Sequence, residues 1–146
     1  MTTLLQMLTV ALIACSQAQA EPHTPEPGST ERKAICDAVR ARVLANAEKP
    51  LPKPIVFKID FLRVEDGYAW FEGTPRLSDG KYVPEGYIAD VDYIMVLKHG
   101  PGGWKLVQDL SRGDVPGEEE VAELRKALKD VPSGIFPELW RKLLKR

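Results

Sequence analysis

The chain has few of the side chains that carry chemistry. Histidine occurs twice, at positions 23 and 99, and cysteine twice, at positions 15 and 36. No H-x-x-x-H or C-x-x-C spacing is present, so the sequence offers no metal site. G-x-S-x-G and Walker sequences are also missing, which removes the serine-hydrolase elbow and the phosphate-cradling loop in their usual forms. The glycines of Gly100-Pro101-Gly102-Gly103 join two strand-like segments. A phosphate cradle should open a helix, so this cluster reads as a turn. A Cys–His nucleophile would need Cys36 beside His99 and an orienting group, and nothing in the pattern supplies one. No cofactor is implied.

Charge of one sign is lacking too. Lys and Arg number 20 against 21 Asp and Glu, for a formal net charge of −1. The cations are scattered rather than striped, which excludes an electrostatic footprint for nucleic acid. The one basic cluster is Arg141, Lys142, Lys145 and Arg146 beside Trp140. It could touch an anionic membrane surface, but docking of its apolar side on the domain is the simpler reading. No internal repeat occurs.

Long hydrophobic runs are missing as well. Residues 1–20 carry no charged side chain, and the run Leu4–Cys15 is too short to span a bilayer. It ends in Ala18-Gln19-Ala20, a small-x-small cleavage signal. Residues 1–20 therefore read as a secretory signal peptide, and the protein as periplasmic or secreted with no transmembrane helix in the mature chain. Leu12-Ile13-Ala14-Cys15 offers an alternative, a lipobox whose Cys15 would carry a lipid anchor. After cleavage at Ala20, Cys36 is the only cysteine left. That excludes an internal disulfide, and its helical surroundings suggest a buried thiol. Residues 21–29 hold three prolines and read as an extended, mobile leader. His23, within it, is expected to be solvated.

The remaining residues, 30–146, are enough for one domain. Ser29 or Thr30 caps a helix running to about Ala47, with Ile35, Ala38, Val39 and Val43 as its apolar stripe. Pro50, Pro52 and Pro54 form a stiff connector. Ile55–Pro75 then reads as a β-hairpin. Asp66-Gly67 suits a two-residue turn with φ > 0 at both positions, and that loop pairs Arg63 with Trp70 and Leu62 with Phe71. Leu62 breaks the period-two pattern of Ile55, Phe57, Ile59 and Phe61. Each large apolar side chain left in water forgoes about 1.5–3 kcal/mol. The pattern therefore predicts a β-bulge near Phe61-Leu62.

Arg76–Val91 is a long loop, with Asp79-Gly80 as a tight turn between short arms. Loops of this length on a small domain are often functional. Asp92–His99 and Trp104–Leu110 read as two further strands. Glu118 to about Asp130 is a helix whose acids lead and whose bases follow, matching the macrodipole. Glu138–Leu144 is a short final helix after Pro137.

Two constellations are candidate sites. Arg63, Tyr68 and Trp70, with Glu65, form an aromatic–charged strip on one hairpin face, either plain cross-strand pairing or a partner-binding surface. Tyr82, Tyr87 and Asp90 belong to the long loop, and Asp92 opens the strand that follows it. Asp90 and Asp92 straddle Val91 and would share a strand face. A carboxylate pair of that kind does acid–base work when burial separates the two pKa values, and otherwise merely protects an edge.

The segments E-R-K-A-I-C-D-A-V-R (31–40), V-F-K-I-D-F-L-R-V (56–64), G-Y-A-W-F-E-G-T-P (67–75), I-M-V-L-K (94–98) and G-G-W-K-L-V (102–107) resemble a family of small exported bacterial α+β proteins without an assigned activity. Helix followed by four strands is similar to cystatin-like and NTF2-like domains, a likeness of fold that implies no activity. The expectation is a single α+β domain in which an N-terminal helix packs on a curved, mainly antiparallel sheet of about four strands. C-terminal helices would cover a sheet face or edge. In function it is expected to be a non-catalytic binding or accessory module of the bacterial cell envelope, its partner an envelope protein or a small ligand. The alternatives are a small NTF2-like enzyme using Asp90 and Asp92, and a lipid-anchored scaffold protein.

Overall fold

The computed structural model describes residues 20–90, 92–111 and 114–145. The signal-peptide and Cys15 readings, together with Val91 and Arg146, lie outside the described residues. The fold is α+β: helix α1 (Thr30–Ala45), strands β1 (Ile55–Glu65), β2 (Tyr68–Leu77), β3 (Tyr93–Gly100) and β4 (Gly103–Asp109), then helices α2 (Glu118–Ala127) and α3 (Glu138–Leu143). A single 3-10 turn, Ser133–Ile135, separates the last two helices. The strands form one antiparallel meander in the order β1-β2-β3-β4. Among the described residues, no helix is long and apolar enough to cross a membrane.

The hairpin forms with the expected register. Asp66 (φ 48°) and Gly67 (φ 75°) make the turn, and Arg63 pairs with Trp70, Leu62 with Phe71. The bulge lies at Asp60, one residue before the expected position: Ile59 pairs with Gly73 and Phe61 with Glu72. Asp60 is exposed, so the extra residue costs no burial. Its effect is a change of parity. Ile55, Phe57 and Ile59 before it join Leu62 and Val64 after it on one face, and Phe61 goes to the other. Gly73 sits opposite, where the Phe71 ring folds over it. A Cβ there would come within 2.9 Å of both the Phe71 ring and the Lys58 carbonyl.

Each face is covered by its own layer. On one, Ile35, Val39 and Val43 of α1 meet Ile55, Leu62, Val64, Phe71, Met95 and Leu97. On the other, Trp70 and Val96 are buried by Leu124, Leu128, Ile135, Phe136 and Trp140 of the C-terminal segment. The C-terminal helices thus cover a sheet face. Ser29 is the α1 cap, its hydroxyl accepting from the Arg32 amide at 3.2 Å.

The leader differs from expectation. It is extended, but it is held. His23 exchanges two backbone hydrogen bonds with Val64 (2.9 and 2.8 Å), so it adds one rung to the outer edge of β1. Its ring Nε2 lies 2.8 Å from the Glu31 carboxylate, and Arg32 donates to the Pro25 carbonyl at 3.0 Å. A polar segment with three prolines can dock because these bonds are made by its backbone and by α1.

Candidate functional site

The segment after β2 folds back over the end of the sheet. Pro75 can stand in β2 because β3 pairs only as far as Gly73, so nothing beyond needs its missing N–H. Leu77 closes the Asp79-Gly80 turn: its amide donates to the Lys81 carbonyl and its carbonyl accepts from Gly80, each at 2.8 Å. Gly80 takes φ +86°, a conformation that suits glycine. The Asp79 carboxylate bonds the Lys53 ammonium at 2.8 Å and the Lys81 amide at 3.1 Å. Those two bonds hold its pKa below the ordinary aspartate value, the Lys53 contact contributing most.

Two cation–π contacts fasten the loop further along. The Arg76 guanidinium lies 3.4 Å from the centre of the Tyr82 ring, and the Lys49 ammonium 4.1 Å from that of Tyr87. The Glu48 amide donates to the Tyr87 carbonyl at 2.9 Å. Val83 and Ile88 turn inward and pack against the α1-side core. These anchors enclose a cleft of about 450 Å³, lined by Thr74, Pro75, Tyr82, Val83, Ile88 and Asp90 among others.

The carboxylates at the cleft have separate surroundings. Asp92 accepts a 2.6 Å hydrogen bond from the hydroxyl of buried Thr74. Asp90 has its pKa raised, first by burial and then by the Asp109 carboxylate. Asp109 lies at the end of β4, where it accepts from the Ser111 amide at 2.9 Å and meets the Arg42 guanidinium at 3.6 Å. Asp90 and Asp92 precede β3, which begins at Tyr93, so the expected common strand face does not form. The carboxylate that perturbs Asp90 is Asp109, not Asp92.

The hairpin strip lies elsewhere. Trp70, expected on an exposed surface, is fully buried. Its ring meets Phe136 edge-on at 5.3 Å and Trp140 at 5.5 Å, and its Nε1 donates to Glu72 at 2.9 Å. The reason is the C-terminal layer, which lands on that face. Tyr68 packs beside this core, with the Lys98 ammonium 5.3 Å from its ring centre, and Arg63 is partly buried opposite Trp70. The loop group therefore converges and the hairpin group does not join it. Sequence reasoning missed Thr74, Arg76, Lys49 and Asp109. Asp79-Gly80 was the one signal that Arg76 and Tyr82 lie across a turn from each other. Among the described residues, no group of three or more His, Cys, Asp or Glu side chains could hold a metal ion. No family model, curated protein or solved structure matches the chain.

Proposed function

We propose that the chain is an exported, non-catalytic binding module of a bacterial cell envelope, and that it receives a small ligand in the cleft under residues 78–90. The observation that carries this reading is the cleft itself. A segment with little regular structure is fixed at Asp79, Tyr82 and Tyr87, and beneath it remains a space of about 450 Å³. That volume falls in the range of small-molecule sites, and the mix of apolar walls with a few polar groups is the usual one. Export is supported by the uncharged residues 1–20 and the small-x-small site at Ala18–Ala20.

The raised pKa of Asp90 favours a second reading, a small NTF2-like enzyme in which Asp90 acts as the acid. Asp92 already accepts from Thr74 and does not perturb Asp90, so the two carboxylates lack the coupling that a catalytic pair needs.

Native mass spectrometry of the protein equilibrated with small molecules from a bacterial envelope extract tests the reading. A discrete adduct should appear with the unmodified protein and disappear in Ala89→Trp, which fills the cleft from an exposed position. No adduct, or one that survives the filled cleft, sinks it. The same spectrum reads export: a mass beginning at Glu21 supports simple cleavage, and one beginning at lipidated Cys15 supports a tethered form.

A further inference from the structure

The loop cleft has one-sided charge. Its ionisable lining is Glu85, Asp90 and the Tyr82 phenol, with no lysine, arginine or histidine among the described residues that line it. Three cations outside the lining hold the loop in place: Arg76 stacks on Tyr82, Lys49 on Tyr87, and Lys53 pairs with Asp79. Two more carboxylates stand behind the wall, Asp92 through Thr74 and Asp109 beside Asp90, with Arg42 offsetting Asp109 from the α1 side. Between these groups the surface is apolar, formed by Pro75, Val83 and Ile88.

We propose that the cleft binds a small organic cation, an amine or guanidinium on a short apolar body. The charge would sit at Asp90 and Glu85 and the body against Val83 and Ile88. This rests on the reading of the cleft as a ligand site. A neutral apolar ligand would leave Asp90 desolvated and next to Asp109 with no compensation, whereas a cation relieves both. An anion would meet two carboxylates and, among the described residues, no cation in the lining.

Three probes that share one body separate the possibilities: n-hexylammonium, 1-hexanol and hexanoate, titrated into the full-length protein at neutral pH and followed by amide NMR shifts. Hexylammonium should move the amides of Thr74, Val83 and Asp90 and bind at least about tenfold tighter than hexanol, the weight of a charge-assisted contact. Hexanoate should bind weakest. Asp90→Asn should remove that margin, with Glu85→Gln as a second variant if the first perturbs the loop. Saturating hexylammonium should also lower the pH at which the Asp90 carboxyl titrates. That carboxyl lies beside Asp109 of β4 and Tyr93 of β3, with Arg42 of α1 one contact further away, and Glu85 shares the cleft lining with it. Equal binding of all three probes would overturn the cation inference and leave the cleft a ligand site. No shift from any probe would overturn both. Hexylammonium binding unchanged in both variants would place the charge elsewhere and end the proposal.

Discussion

Asp90 and Trp70 show how a single residue is assigned by what lies around it. The Asp90 pKa is raised by burial and by Asp109, so the folded state holds its proton more tightly than the unfolded chain. A carboxyl shifted in this direction contributes stability below its unfolded pKa and loses it as pH rises through the folded value. At neutral pH the charged Asp90 therefore opposes folding. Asp90→Asn should raise the thermal midpoint at pH 7, and the gain should vanish near pH 3, where both forms are neutral. A midpoint that fell at pH 7 would show that the carboxylate has a stabilising partner. Taken with the weaker cation binding proposed for the same variant, a raised midpoint would make Asp90 a residue that trades stability for ligand binding. Trp70 is the opposite case. Between Phe136 and Trp140 it is pure core, and Trp70→Ala should cost about 3–5 kcal/mol in a urea melt. A loss near zero would mean that the C-terminal layer does not seal that face. The sequence pointed the other way because Trp70 shares a strand face with Arg63, Glu65 and Tyr68. A strip so polar reads as solvated, and the residues that bury it are more than fifty positions downstream.

Strands were more legible than loops because their rules are local. Asp66-Gly67 alone determined the hairpin register, and the clash of parities before Leu62 demanded a bulge. Its exact seat, Asp60, could not be read. Either of two neighbouring positions restores parity, and the choice falls on the exposed one, opposite a Gly73 that has no room for a side chain. The bulge yields a sharp expectation. Deleting Asp60 leaves a continuous alternation in which Ile55, Phe57 and Ile59 still share a face with Leu62 and Val64, and Ile59 and Phe61 keep Gly73 and Glu72 as partners. Only the local bend and added twist are lost. The deletion variant should therefore unfold near the parental urea concentration, and a much lower midpoint would show that the curvature made by the extra residue holds the two covers in place. The 78–90 segment obeys no such periodicity. Its conformation depends on Lys49, Lys53 and Arg76, and their pairing with Tyr87, Asp79 and Tyr82 is set by tertiary placement rather than by spacing.

For the whole molecule, the sheet needs two covers. An antiparallel sheet can leave one face to water, and a helix followed by four strands suggests such a two-layer arrangement. Here β3 is buried on both faces: Met95 and Leu97 point to α1, and Val96 to the C-terminal segment. The apolar character of Tyr93–Leu97 on both faces was the sequence signal that a second layer exists. The identity of that layer was harder to see, since α2 and α3 are short and only Leu124 and Trp140 within them are buried. Much of the cover comes from what lies between the helices, Leu128, Val131, Ile135 and Phe136. A chain ending at Pro116 would keep every strand and all of α1, yet it would expose Trp70, Val96 and Leu110 together. A contiguous apolar face of that kind drives association. The truncated protein should bind a hydrophobic dye strongly, lose its cooperative thermal transition and aggregate, while far-ultraviolet dichroism still reports strands. If it instead stayed monomeric with a sharp transition, the α1 face would be a self-sufficient core and the C-terminal layer an addition to it. The loop cleft makes that distinction matter. Val83 and Ile88 pack on the α1-side core, so a self-sufficient α1 half would carry the ligand site with it. If the sheet requires both covers, cation binding at Asp90 should be lost together with the dye-free, cooperative fold.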